Sequence, residues 1–140
     1  MKYAYATMIV LCLLASTSWS ASNPLIRNCN LVGGEFTVVE IHLQNSKIRD
    51  QWALCKFDNA YVGAFDVMQF NTKEGNPVSF NEYSSEVTQC SGHVEVAQVI
   101  GTDKKFLVCQ YEDSSFIDLI TLSLGVNAPE NFQLNKFLGL

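Results

Sequence analysis

The sequence predicts an α+β fold: two pseudo-symmetric α-β-β-β units forming an antiparallel sheet packed by helices and stapled by disulfides. Three observations carry that expectation. A diverged repeat runs through the chain, four cysteines remain once an apolar leader is set aside, and each repeat opens on a helix signal before strand-like runs.

The leader comes first. Met1-Lys2 is a minimal positive start, residues 4–15 are apolar, and small polar residues follow. That run is too short to span a hydrocarbon core of about 30 Å. It reads as a secretory signal peptide over residues 1–20, leaving a single secreted or periplasmic domain over 21–140. No second long apolar run follows, so the mature chain is not expected to span a membrane. The whole chain carries 14 acids against 9 bases. Loss of Lys2 makes the mature balance more acidic, which argues against a nucleic-acid partner.

The repeat spans about 23–70 and 76–124. Trp52-Ala-Leu-Cys55-Lys-Phe57-Asp58 matches Phe106-Leu-Val-Cys109-Gln-Tyr111-Glu112 position by position in residue class. Continued without a gap, Val62 falls on Phe116, Phe65 on Leu119 and Val67 on Thr121. Upstream, Asn23-Pro24 and Asn76-Pro77 open the two copies.

Each element has a local reason. Asn23 caps a helix with Pro24 at its first position, and Gly33-Gly34 stop it. In the second copy, Ser79 and Glu82 fit a capping box, with Phe80, Tyr83 and Val87 at helical spacing, Cys90 near the end and Gly92 as the stop. Strand patterns cover 36–43 and 94–100, polar turns 44–50 and 101–105, and cysteine-bearing strands 51–57 and 106–111. Short turns at Asp58-Asn59 and Glu112-Asp113-Ser114 lead to third strands over 62–70 and 116–124. The tail, 127–140, carries Phe132, Leu134, Phe137 and Leu138 and is expected to pack back as a short helix or strand.

Cys12 leaves with the leader, so Cys29, Cys55, Cys90 and Cys109 remain. Four cysteines allow three pairings, and spacing alone does not choose among them. The repeat does: equivalent halves imply Cys29–Cys55 and Cys90–Cys109. Each closure contributes roughly 3–4 kcal/mol in the chain-entropy picture.

Asn23-Pro24, Cys29, Gly33-Gly34 and Cys55-Lys-Phe57 together resemble the small bacterial domain labelled as a hemolysin, a family without an established function. The resemblance covers about 23–68 and implies an exported bacterial protein with a small α+β unit. The further cysteine usual in that family after Cys-x-Phe is absent, and Val62 stands near its place. The second copy keeps Asn-Pro, the two cysteines and the aromatics. Gln98-Val99-Ile100-Gly101 is similar to the Gln-x-Val-x-Gly hairpin of cystatin-type protease inhibitors. It is one residue short, and Gly33-Gly34 follow a helix where that family needs an extended segment.

Chemistry is sparse. His42 and His93 lack a partner pattern for nucleophilic catalysis, and no metal-ligand spacing appears. No catalytic residue, cofactor or metal is assigned. Asp58, Glu112 and Asp113 read as turn formers. Trp52, Phe57, Phe65 and Phe70 are expected mostly in the core, and Tyr61 exposed in a turn. Tyr61 and the hairpin-loop bases Lys47, Arg49, Lys104 and Lys105 are the candidate interaction residues. Open sheet edges are expected to offer a further docking route. The functional expectation is a non-enzymatic exported binding or effector protein acting on a protein or glycan. The alternatives are an inhibitor of an extracellular hydrolase, such as a protease or lysozyme, acting through a hairpin loop, and a small hydrolase.

Overall fold

The computed structural model describes residues 23–42 and 49–140. The expected leader and Lys47 lie outside the described residues. The chain runs α1 (Pro24–Leu31), β1 (Glu35–His42), β2 (Arg49–Phe57), β3 (Ala60–Gly63) and α2 (Ala64–Asn71). The same order then recurs as α3 (Val78–Ser84), β4 (His93–Val99), β5 (Lys105–Gln110), β6 (Phe116–Asp118) and α4 (Leu119–Leu124). A 3-10 turn (Pro129–Asn131) and α5 (Phe132–Leu138) close the chain.

The α+β class holds, but the strands close into a six-stranded antiparallel barrel in the order β1-β2-β3-β6-β5-β4. This corrects the open sheet. The two outer strands of each half pair with those of the other, β1 with β4 and β3 with β6. The free edges expected to accept a partner strand are therefore consumed. One row of residues crosses five of the six strand junctions: Phe36, Cys55, Val62, Ile117, Cys109 and Val94.

Local chemistry explains the helix starts. The Asn23 side chain accepts from Leu25 N at 2.9 Å, and Pro24 sits in the first turn. Gly33 takes φ 86° just after the helix, a conformation that favours glycine. Gly34 lies against the disulfide, and a β-carbon there would stand 2.3 Å from Cys55 Sγ.

The expected third strands end early and turn into α2 and α4. A short apolar run does not distinguish strand from helix by periodicity. Asp118 is the N-cap of α4, and Asp66 sits in the first turn of α2, where a carboxylate meets the positive helix end. The capping box at Ser79 is also corrected. The cap position is Pro77, without a side-chain bond, and Ser79 is buried inside α3. Asp113 Oδ2 accepts from Val78 N and Ser115 Oγ from Ser79 N, each at 2.9 Å. A distant turn thus replaces the local cap. Helix α3 stops at Ser84, so Val87 and Cys90 lie beyond it.

Both disulfides pair as the repeat implied, Cys29–Cys55 and Cys90–Cys109. Two cores result. Val39, Ile41, Leu54, Tyr61, Ala97, Val108 and Phe116 form one, with Trp52, Val99 and Phe106 packed against it. The second lies under the helices and gathers both disulfides, Phe57, Val62, Val67, Phe80, Tyr83, Ile117 and Leu134. The tail packs back as a helix: Phe137 stacks on Phe57 at 5.1 Å and meets Phe70 edge-on at 5.3 Å. No described helix is long and apolar enough to cross a membrane.

Candidate functional site

Two buried carboxylates tie the short β3–β6 junction together. Asp66 Oδ2 accepts from Phe116 N at 3.0 Å, and Asp118 Oδ2 accepts from Tyr61 N at 2.7 Å. Each helix start thus reaches across to the backbone of the opposite half. Burial pushes Asp66 up to about 7 against the lowering effect of the Phe116 N–H, and nearby Asp113 adds to the rise. Burial also raises Asp118, opposed by the Thr121 hydroxyl and by backbone donors. Asp113 behaves oppositely. Burial favours its neutral form, but donors from Ser115 and Val78 outweigh this and hold its carboxyl below the usual range. These groups are structural fasteners, beyond the turn-forming role expected of Asp113.

The second feature is a groove between β5 and α4. Two adjoining concavities of about 380 and 420 Å³ share Lys105, Phe106, Ile120 and Leu124. Aliphatic side chains line it in the open: Ile120 is 67% exposed, Leu124 47% and Leu107 44%. Ile120 and Leu124 stand four apart on α4 and share a helix face. At its polar end, Tyr61 stacks on Phe106 with centroids 4.5 Å apart. Lys104 Nζ donates to Tyr61 Oη at 2.7 Å and lies 5.1 Å from the ring centroid. Lys56 Nζ approaches the same ring at 5.9 Å. Asn131 is buried in the groove wall and donates to the Thr121 and Gly125 carbonyls.

A larger concavity, about 620 Å³, is lined by Gly33, Gly34, Glu35, Lys56, Asp58 and neighbouring polar groups. Pro129 is the one apolar side chain in its lining. A smaller one contains Trp52, Ala53, Phe65 and Phe116.

The candidate interaction residues divide. Tyr61 is only 7% exposed and lies in β3, which corrects its placement in an exposed turn. Its ring packs against Phe106 because the closed barrel turns that strand inward. Lys104 and Lys105 are exposed and meet Tyr61 in the groove. Arg49 is elsewhere, paired with Glu40 at 3.1 Å. Phe65, expected in the core, is 55% exposed on α2. The histidines are not brought together: His42 Nε2 bonds Gln98 Oε1 at 3.1 Å, and His93 is exposed at the start of β4. No cluster of three metal-ligating side chains occurs among the described residues.

Sequence reasoning missed Ile120 and Leu124 because 116–124 read as a third strand, and Leu107 because nothing in its strand, 106–111, marks it as exposed. The available signal was Asp118 as a helix cap before Leu119 and Leu122, three apart, and Ile120 and Leu124, four apart, a helical spacing with two aliphatic faces. Comparison with protein-family models, with curated proteins and with solved structures finds no match to this chain.

Proposed function

We propose that this chain is an exported, disulfide-stapled binding protein of bacterial type, built from two copies of one unit and acting on a protein or glycan without a catalytic centre. The observation that carries the binding role is the β5–α4 groove, where Leu107, Ile120 and Leu124 remain exposed beside two lysines. Contiguous exposed aliphatic surface with a polar rim is a mark of an interaction site.

The duplication has independent support in the strand registers. Phe36 faces Cys55 and Val94 faces Cys109, which makes Glu40 equivalent to Gln98; those two residues pair with each other. Val62 and Ile117 each face a strand cysteine, and they too pair with each other, so beyond the cysteine strands the match is shifted by one residue from the ungapped alignment: Val62 answers Ile117 rather than Phe116, and Phe65 answers Ile120 rather than Leu119. Both junctions are thus centred on equivalent residues, as a two-fold requires. The stacked pair Trp52–Phe116 mirrors Phe106–Tyr61, and the equivalent N–H groups of Tyr61 and Phe116 each donate to a helix-start carboxylate of the other half, although those carboxylates, Asp118 at an N-cap and Asp66 three residues after one, stand at different positions. The hemolysin-like resemblance of the first copy fits this reading and carries no implication of lysis. Export is favoured by disulfides, which persist in oxidising compartments.

The test compares partner capture by the wild-type protein and by Ile120→Ser and Lys104→Gln from extracellular or envelope fractions. A partner held by the wild type and by Leu31→Ser, but released by both groove variants at unchanged melting temperature, supports the role. Capture indifferent to every surface substitution removes it.

A second reading, inhibition of an extracellular hydrolase by a hairpin loop, has one observation in its favour. The loop 100–104 is tightly braced, with Val99 N bonded to Lys104 O, Gln98 Nε2 to Thr102 O and Thr102 Oγ1 to Val99 O. Preorganised loops bind at low entropic cost. A protease and lysozyme panel that shows no inhibition sensitive to Thr102→Gly and Asp103→Ala removes it.

A further inference from the structure

We infer that the β5–α4 groove takes an aliphatic, acidic peptide segment of a partner protein, with its apolar side chains on Leu107, Ile120 and Leu124 and a carboxylate on the Lys104 ammonium. This rests on the binding reading above and names the chemistry of the partner.

The charge distribution carries the step. The chain is acidic overall, with a formal charge of −5. Yet Lys56 and Lys104 converge on the single Tyr61 ring, and Lys105 lies beside them in the groove wall. The sole ion pair among the described residues is Arg49–Glu40, so no described carboxylate stands within bonding distance of these lysines. Two acids also line the polar end. Asp118 is buried and already accepts from Tyr61 N, Thr121 N and the Thr121 hydroxyl. Glu130 is exposed on the rim without an ion pair to either lysine. Lys104 is held in place by the Tyr61 hydroxyl, so part of the rotamer entropy of a long cation is lost before any ligand arrives. A fixed, uncompensated cation at the head of an aliphatic groove suits a carboxylate attached to an apolar segment.

Competing occupants fit less well. A glycan would need a free aromatic face, and the Tyr61 and Phe106 rings cover each other. An anionic bilayer attracts clusters of about four to eight basic residues, whereas here the rest of the chain is acidic and repelled. A second copy docked groove to groove would bring two lysine-headed patches together with Glu130 as the one exposed carboxylate each could offer.

The test selects random dodecapeptides by display on the immobilised, oxidised protein, and then measures the enriched peptides in solution by fluorescence anisotropy. Enriched sequences should combine aliphatic residues with Asp or Glu. Lys104→Gln and Ile120→Ser should each weaken the enriched peptide about tenfold or more, while Phe65→Ser leaves it unchanged. Replacing the peptide carboxylate by its amide should cost a similar factor and abolish the further effect of Lys104→Gln. Enrichment of basic peptides, or binding indifferent to Lys104→Gln, overturns the proposal. So does Ile120-dependent sedimentation with phosphatidylglycerol vesicles, or Ile120-dependent self-association in place of peptide binding. If partner capture persists in the groove variants, the peptide proposal falls while a binding role at another surface stands. If capture is groove-dependent but indifferent to Lys104, the acidic-peptide proposal falls while the binding role of the groove stands.

Discussion

Replacing Asp66 by asparagine should make the protein more stable near neutral pH and flatten its pH dependence. Asp66 is buried at the β3–β6 junction and accepts from Phe116 N. Its folded value is raised to about 7, against 3.8 for the ordinary carboxyl. A raised acid favours the protonated form in the folded state, so the folded chain binds the extra proton. Stability is therefore full below the unfolded value and falls as pH rises through the window from 3.8 to about 7. The difference corresponds to roughly 4 kcal/mol across that window. Asp118 is raised in the same sense and adds a smaller slope. Asp113 is lowered, so its contribution has the opposite sign: present above the ordinary carboxyl range and lost as pH falls through its folded value. Asparagine keeps an acceptor for Phe116 N without the charge, with the buried Ser79 hydroxyl beside it. Urea unfolding followed by circular dichroism from pH 4 to 8 reads this directly. Wild type should lose stability on going from acid to neutral, and the variant should lose much less. Parallel curves for the two proteins, or a wild type that gains stability toward neutral pH, would refute the reasoning.

Reducing both disulfides should lower stability by about 3 kcal/mol per bridge, and non-reducing peptide mapping should recover only Cys29–Cys55 and Cys90–Cys109. Gly34→Ala should destabilise by about 1–3 kcal/mol in thermal unfolding through its collision with Cys55 Sγ. Gly33→Ala, with open space around it but φ 86°, should cost about 1–2 kcal/mol through backbone strain alone. Asp118→Ala should cost about 2–4 kcal/mol, because Tyr61 N and Thr121 N lose a buried acceptor. Ile120→Ser, on an exposed face, should change stability by no more than about 0.5 kcal/mol in the same assay.

The α+β class and both disulfides were legible because the signals are local or repeated. Asn23-Pro24 caps its own helix, and the matched cysteine strands implied equivalent pairing. Barrel closure was not legible. It depends on the β1–β4 and β3–β6 pairings, between residues tens of positions apart, and no local pattern specifies them. The same blindness moved Tyr61 from surface to interior. It also hid the third-strand helices, since residues such as Leu119-Ile120-Thr121 satisfy strand and helix preferences alike until Asp118 is recognised as a cap. Of the candidate site, the lysines were visible as loop charges, but their meeting with Tyr61 and α4 is a tertiary fact.

The proposed duplication also bears on the proposed groove. Strand register sets Phe106, Leu107 and Tyr61 of the β5–α4 groove against Trp52, Ala53 and Phe116, which line a second concavity with Phe65 of α2. Under that proposal, packing constraints shared by the two halves would leave both grooves alike. They are alike in their stacked aromatic pairs and in one exposed apolar side chain on the adjoining helix, Ile120 in one and Phe65 in the other. They differ in charge. Where one carries Lys104-Lys105, the strand that matches it carries Asp50-Gln51. Neither lysine is needed to close the barrel, since both are exposed and the twin junction forms without them. A fold that tolerates an acid and an amide at those positions does not need two cations to close; Lys104 answers the Tyr61 hydroxyl, which Phe116 lacks in the other half, and the second cation, Lys105, is what the proposed recognition of an anionic group accounts for.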